Sequence, residues 1–177
     1  GWDPSPLFRV ETGMDEKKKL SGKLLRLTVS VLLRLLVGAV AGWATAQGVR
    51  DWYPTLVKPP FNPPSWIFGP VWTLLYILMG VALFLVWSRK GDSPLAGRAM
   101  AAWGIQLSLN FLWSFFFFWA QVPGWALLEI LLLLGALVWT LILFFRVSRW
   151  AGWLMTPYLG WVTFAALLNA SIWLLNR

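Results

Sequence analysis

The sequence has no cysteine and no histidine. Without cysteine there is no disulfide framework, no thiolate nucleophile and no thiolate metal site. Without histidine the usual general base, the usual metal ligand and the usual haem axial ligand are gone. Acidic side chains are also scarce, seven against fifteen Lys and Arg. Hydrolytic and metal chemistry are therefore poorly supported, and neither a metal site nor a resident cofactor is expected. Charged residues make up 12% of the chain, about half the roughly 25% of a soluble domain. What the chain has instead is 59% hydrophobic residues, with 15 Trp and 12 Phe among its 177. Belts at the two membrane interfaces account for part of those aromatics. The composition is that of an integral membrane protein folded as one bundle.

A spanning helix needs roughly 20 apolar residues. Five segments meet that length, at about Leu25–Ala46, Trp66–Ser88, Ala99–Trp119, Trp125–Phe145 and Trp150–Leu175. None alternates in the manner of a barrel strand. The expected fold is an all-α bundle of five transmembrane helices over residues 25–177, behind a polar segment 1–24. Residues 1–13 read as an added or disordered tail ahead of a natural start at Met14. Ala44-Thr45-Ala46 matches a signal-cleavage pattern, but the run before it is too long for a secretory signal.

The net charge of +8 does not point to nucleic acid. Lys17, Lys18, Lys19, Lys23 and Arg26 sit just before the first span, where basic residues encode topology and meet anionic lipid headgroups. Most Lys and Arg fall on one side of the bundle. The positive-inside rule then puts the N-terminus in and the C-terminus out. The short basic N-terminus suits a bacterial inner membrane.

Between the first two spans runs Trp52-Tyr53-Pro54-Thr55-Leu56-Val57-Lys58-Pro59-Pro60-Phe61-Asn62-Pro63-Pro64-Ser65-Trp66. Proline fixes φ and removes a donor, so this stretch is no helix interior. Its aromatic load exceeds what a connector needs and suits a lid over a pocket. Inside the spans, Gln106, Asn110 and Trp113 share one face of the third helix, since they lie at i, i+4 and i+7. Trp161, Ala165, Leu168 and Asn169 share a face of the fifth, and Trp72, Tyr76 and Met79 one of the second. Amides within spans often only join helices. Three faces mixing aromatic and polar groups under an aromatic lid favour a cavity for a flat, apolar ligand with a few polar atoms.

Arg34 and Glu129 are charged outliers. Helical rise leaves them about 10 Å apart in depth, so each is expected to snorkel to its nearer interface. Gly38 and Gly42 form a GxxxG pair, and Gly104 and Ser108 a small pair; either suits a dimer seam or packing within the chain.

The run Trp52-Tyr53-x4-Lys58-Pro59-x-Phe61-x-Pro63-Pro64-x-Trp66-x5-Trp72-x2-Leu75-Tyr76-x2-Met79 resembles the translocator protein family, also called tryptophan-rich sensory proteins or peripheral benzodiazepine receptors. Gln106-Leu107-x2-Asn110-x2-Trp113, Gly124-Trp125-Ala126-Leu127, Pro157-Tyr158-Leu159-x-Trp161 and Leu168-Asn169 extend the likeness in order, from about Val49 to Asn176. The resemblance implies a five-helix bundle, often a homodimer. It also implies a pocket beneath the first loop for porphyrins such as protoporphyrin IX and for isoquinoline carboxamide drugs. Its lining would be Tyr53, Pro64, Trp72, Tyr76, Asn110, Trp113, Trp161 and Ala165, to which the spacing adds Gln106 and Asn169. Trp72 and Trp161 match tryptophans implicated in light-dependent tetrapyrrole breakdown, and would be the catalytic residues if the protein is an enzyme. The family's sterol pattern needs a Tyr and a base after Leu-Asn; here that stretch reads Ala170-Ser171-Ile172-Trp173-Leu174-Leu175. A formal match at Val49-x3-Tyr53-x4-Lys58 lies in the loop and carries little weight.

Three functions follow. The first is a membrane binding protein for tetrapyrroles, acting in transport, sequestration or stress sensing. The second is a light- and oxygen-dependent porphyrin-degrading enzyme. The third is a sterol-binding or scaffold protein whose polar faces only hold helices together.

Overall fold

The computed structural model describes residues 6–177, with side chains described from Met14 onward except at Ala44. Five helices follow in order: α1 Pro6–Gln47, α2 Ser65–Trp87, α3 Ala96–Ser114, α4 Pro123–Val147 and α5 Arg149–Leu175. All five are long and apolar enough to cross a membrane, and no strand occurs among the described residues. The apolar runs become helices because only a helix satisfies every backbone N–H within one segment in hydrocarbon. The expected five-helix fold is thus the observed one, with boundaries within a few residues for α2, α4 and α5.

Helix α1 departs from expectation. It has 42 residues, about 63 Å at the helical rise, twice the hydrocarbon thickness of about 30 Å. The polar stretch 14–24 continues the helix instead of preceding it. Asp15 lies three and four residues before Lys18 and Lys19, and Glu16 three before Lys19, a spacing that supports a solvated helix. The tail reading of residues 1–13 lies outside the described residues at 1–5, and 6–13 continue the α1 backbone.

The helices close in the order α1, α2, α5, α4, α3, and the turn after α3 returns to α1. Two wide turns of π type make that return, Gly48–Trp52 after α1 and Phe115–Trp119 after α3. They press so closely that a Cβ on Gly48 would run into the carbonyl oxygen of Phe118. The core is filled by Met79, Val86, Ile130, Leu137, Phe144, Met155 and Ile172, each within 1% of complete burial.

Small residues decide the α1–α2 approach. A Cβ on Gly80 would stand 2.7 Å from Val31 Cα. Gly38 lets the Tyr76 ring lie directly on the α1 backbone, so half of the GxxxG pair is used within the chain. Gly42 and Gly104 have nothing within 4 Å of that position.

Arg34 does not snorkel. It is fully buried, its Nη2 donates to Met79 Sδ at 3.3 Å, and its Cζ stands 4.5 Å from the Tyr76 ring centre and 5.8 Å from that of Tyr158. Glu129 is only 6% exposed and does not reach the interface either. Helical rise gave their depth, but rotation turns both inward. Ser30, Arg34, Ala41 and Thr45 are all buried on one face of α1.

Gly80→Ala should lower the thermal unfolding temperature in detergent, by an overpacking penalty of about 1–3 kcal/mol. Gly104→Ala, which meets no atom, should be neutral or stabilising by up to about 1 kcal/mol through helix propensity. Equal behaviour of the two variants would contradict the close α1–α2 approach.

Candidate functional site

A cavity of about 630 Å³ lies at the end of the bundle that carries the first loop. Its walls come from the second half of α1, the first half of α2, the end of α3 with its wide turn, and α5. Helix α1 packs on α2 and on the turn after α3 but stands off from α5, and the space between them is the cavity. On the α1 side the wall is made of small residues, Gly38, Ala39, Ala41, Gly42, Thr45 and Ala46. Their spacing of three to four keeps them on one face, and their size leaves room.

The opposite walls are aromatic. Trp72 of α2 meets Trp161 of α5 edge to face, with ring centres 6.4 Å apart at 89°. Phe68 and Phe164 pack on Trp161 at 5.9 and 5.6 Å, and Tyr76 on Trp72 at 5.3 Å. Trp113 stacks on Phe117 at 5.4 Å and 25°. Edge-to-face and offset packing of this kind holds rings firmly, so the walls keep their shape without a ligand.

Seven of the residues expected from sequence line this space: Tyr53, Trp72, Tyr76, Trp113, Trp161, Ala165 and Asn169. Three do not. Gln106 and Asn110 are buried inside the bundle away from the cavity, with the Gln106 amide and Asn110 Nδ2 unpaired among the described residues. Pro64 is exposed and precedes the first turn of α2, where its missing N–H does no harm. Asn169 lines the wall, but its amide is spent. Its Oδ1 accepts from Trp113 Nε1 at 3.0 Å and its Nδ2 donates to the Pro123 carbonyl at 2.8 Å, tying α5 to α3 and to the start of α4. The Asn169 amide therefore holds helices together, while those of Gln106 and Asn110 lie away from the cavity. Sequence reasoning missed Phe68, Phe117 and Phe118 and the small stripe of α1. The stripe was visible as GxxxG but was read as a helix seam.

Of the stretch Trp52–Ser65, only Tyr53 and Ser65 touch the cavity. The loop is fixed across the end of the bundle. Tyr53 Oη donates to Asn62 Oδ1 at 2.7 Å, and Lys58 Nζ sits 5.0 Å from the Tyr53 ring centre while donating to two loop carbonyls. Burial pushes the Tyr53 hydroxyl above the ordinary tyrosine range, and the bond to Asn62 pulls it partly back. The hydroxyl thus keeps its proton and its bond at neutral pH. The last tie is long-range. The Asn176 amide pairs with the Val57 peptide, accepting from its N–H at 2.9 Å and donating to its carbonyl at 2.8 Å. It binds the loop to the end of α5 as a neighbouring strand would.

Asn176→Ala removes both of these bonds, each worth about 0.5–1.5 kcal/mol. The loop should then be cut faster by limited proteolysis near Lys58, and the Val57 amide should exchange faster with deuterium, with the helices unchanged. Unchanged exchange at Val57 would show that the loop is held by its own prolines alone.

Comparison with known proteins fits this architecture. Residues 30–174 match the model of the TspO/MBR family. The chain is 43% identical over 155 residues to the tryptophan-rich protein TspO of Archaeoglobus fulgidus, covering 86% of this chain and 98% of that one. It is 41% identical over 130 residues to the human translocator protein, covering 72% and 75%. It is 38% identical over 139 residues to the tryptophan-rich sensory protein of Cereibacter sphaeroides, covering 78% and 85%. With the match spanning all five helices and the cavity between them, the chain belongs to the TspO/MBR family of membrane proteins.

Proposed function

We propose that this protein binds tetrapyrroles and similar flat, largely apolar ligands in the cavity between α1, α2 and α5. The observation that carries this reading is the shape and chemistry of the wall. Five Trp, Tyr or Phe rings of α2 and α5 are held face and edge around about 630 Å³, within the roughly 300–1,000 Å³ of small-molecule sites. Rings of this kind stack on extended π systems. The small residues of α1 leave a slot opposite them, which a planar molecule fills better than a globular one. Binding of this kind serves transport, sequestration or stress sensing, and also admits isoquinoline carboxamide drugs. Membrane placement follows the basic residues, with the N-terminus in and the C-terminus, first loop and cavity mouth out, in a bacterial inner membrane.

Porphyrin titration followed by tryptophan quenching tests the reading. Saturable binding in the micromolar range is expected, from stacking and burial alone. The sequence offers neither His nor Cys as an axial ligand. Metal-free porphyrin should therefore bind about as well as its haem counterpart. A large preference for haem with an axial-ligand spectrum would contradict it.

A second reading rests on the Trp72–Trp161 pair, two oxidisable indoles in edge contact within the wall. If the protein degrades porphyrin in light, oxygen is the oxidant and these two residues take part. Trp72→Phe and Trp161→Phe should keep binding within a few-fold and abolish illuminated, oxygen-dependent product. Retained product in both variants would leave the binding function alone.

A further inference from the structure

We propose that Arg34 is the specificity-determining cation of this cavity, setting it to take flat ligands that carry a carboxylate edge and turning that edge toward α1 and α2. This rests on the ligand-binding reading above and adds to it the ligand's charge and orientation.

Arg34 is fully buried in the middle of a bundle that crosses a membrane. An ionisable group in that position marks function more often than stability. Of its five N–H donors, one meets only the soft sulfur of Met79. Its Nε and Nη1 have no hydrogen-bond partner among the described residues. Two tyrosine faces, Tyr76 and Tyr158, are its nearest company. They ease the charge by cation–π attraction but cannot satisfy the planar donor fork, whose natural complement is a carboxylate.

Arg34 lies behind the cavity wall and not in it. Leu35 and Gly38, one and four residues further along α1, are in its wall. Tyr76 is shared, since its ring lines the cavity and also carries the guanidinium 4.5 Å away. Because Gly38 has no side chain, the Tyr76 ring lies directly on the α1 backbone one turn beyond Arg34. No Asp or Glu lines the cavity, so no described wall residue offsets the charge. In a site of low dielectric a cation with no ion-pair partner acts strongly at short range. The one cation among the described wall residues is Arg50. It is exposed and about 24 Å along the chain from Arg34 by helical rise, so water and salt screen it.

The experiment compares a metal-free porphyrin dicarboxylic acid with its dimethyl ester, each titrated by tryptophan quenching and corrected for partition into protein-free detergent. The wild-type protein should bind the acid about tenfold more tightly than the ester, a difference of about 1.4 kcal/mol. Arg34→Met, of similar length and no charge, should bring the ratio to about one while its thermal unfolding temperature shows it folded. Arg34→Gln replaces it if it does not fold. Arg34→Lys should keep a preference for the acid, and Arg50→Met should keep all of it. Equal affinity for acid and ester in the wild type overturns the inference while leaving the proposed function standing. So does a preference that survives the loss of the Arg34 charge, or one lost with Arg50 instead. Saturable binding of neither form overturns the proposed function and this inference together.

Discussion

A bilayer gives five apolar helices no hydrophobic reason to associate, because lipid is as apolar as leucine. Association has to come from close van der Waals packing and from polar groups that find partners inside. Each main feature of this protein depends on that constraint. Gly80 lets α2 settle on the backbone of α1 at Val31. The amide of Asn169 draws α3, α4 and α5 together through Trp113 and the Pro123 carbonyl. The two wide turns meet at Gly48, where any larger residue would strike Phe118.

Where this packing is withheld, a cavity appears. α1 is joined to α2 and to the turn after α3, and it is not drawn against α5. The wall it offers is a stripe of Gly, Ala and Thr, too small to cross the gap. The facing rings of Trp72 and Trp161 are braced by Phe68, Phe164 and Tyr76 rather than by α1. The same small residues that would seal a helix pair elsewhere here keep one open. The loop then spans the end of the bundle, tied by Tyr53 to itself and by Asn176 to α5.

Much of this is legible in the sequence, and the part that is not has physical causes. The five spans are visible because a bilayer demands roughly 20 apolar residues at a time. Trp72, Tyr76, Trp161 and Ala165 reach the cavity because helical period sorts residues onto faces. Period does not say which neighbour a face will meet. Gln106 and Asn110 share the face of Trp113, but only Trp113, at the end of α3, extends to the cavity. Rise likewise gave the depth of Arg34 and Glu129 and nothing of their rotation, and both turn inward. The wide turn at Phe115–Trp119 was hidden because its five aromatic residues read as more of the same apolar helix. The extended start of α1 was hidden because a charged helix and a charged tail differ little in composition.

The central claim is that the space between α1, α2 and α5 holds a flat ligand. Photolabelling with a diazirine-tagged, metal-free porphyrin, mapped by mass spectrometry, tests it most directly. The account predicts labels on the cavity wall, at Gly42, Thr45, Phe68 and Ala165, that unlabelled porphyrin competes away. Labels confined to outward-facing Trp43, Leu132 and Trp153, which are 82%, 60% and 59% exposed, would contradict it.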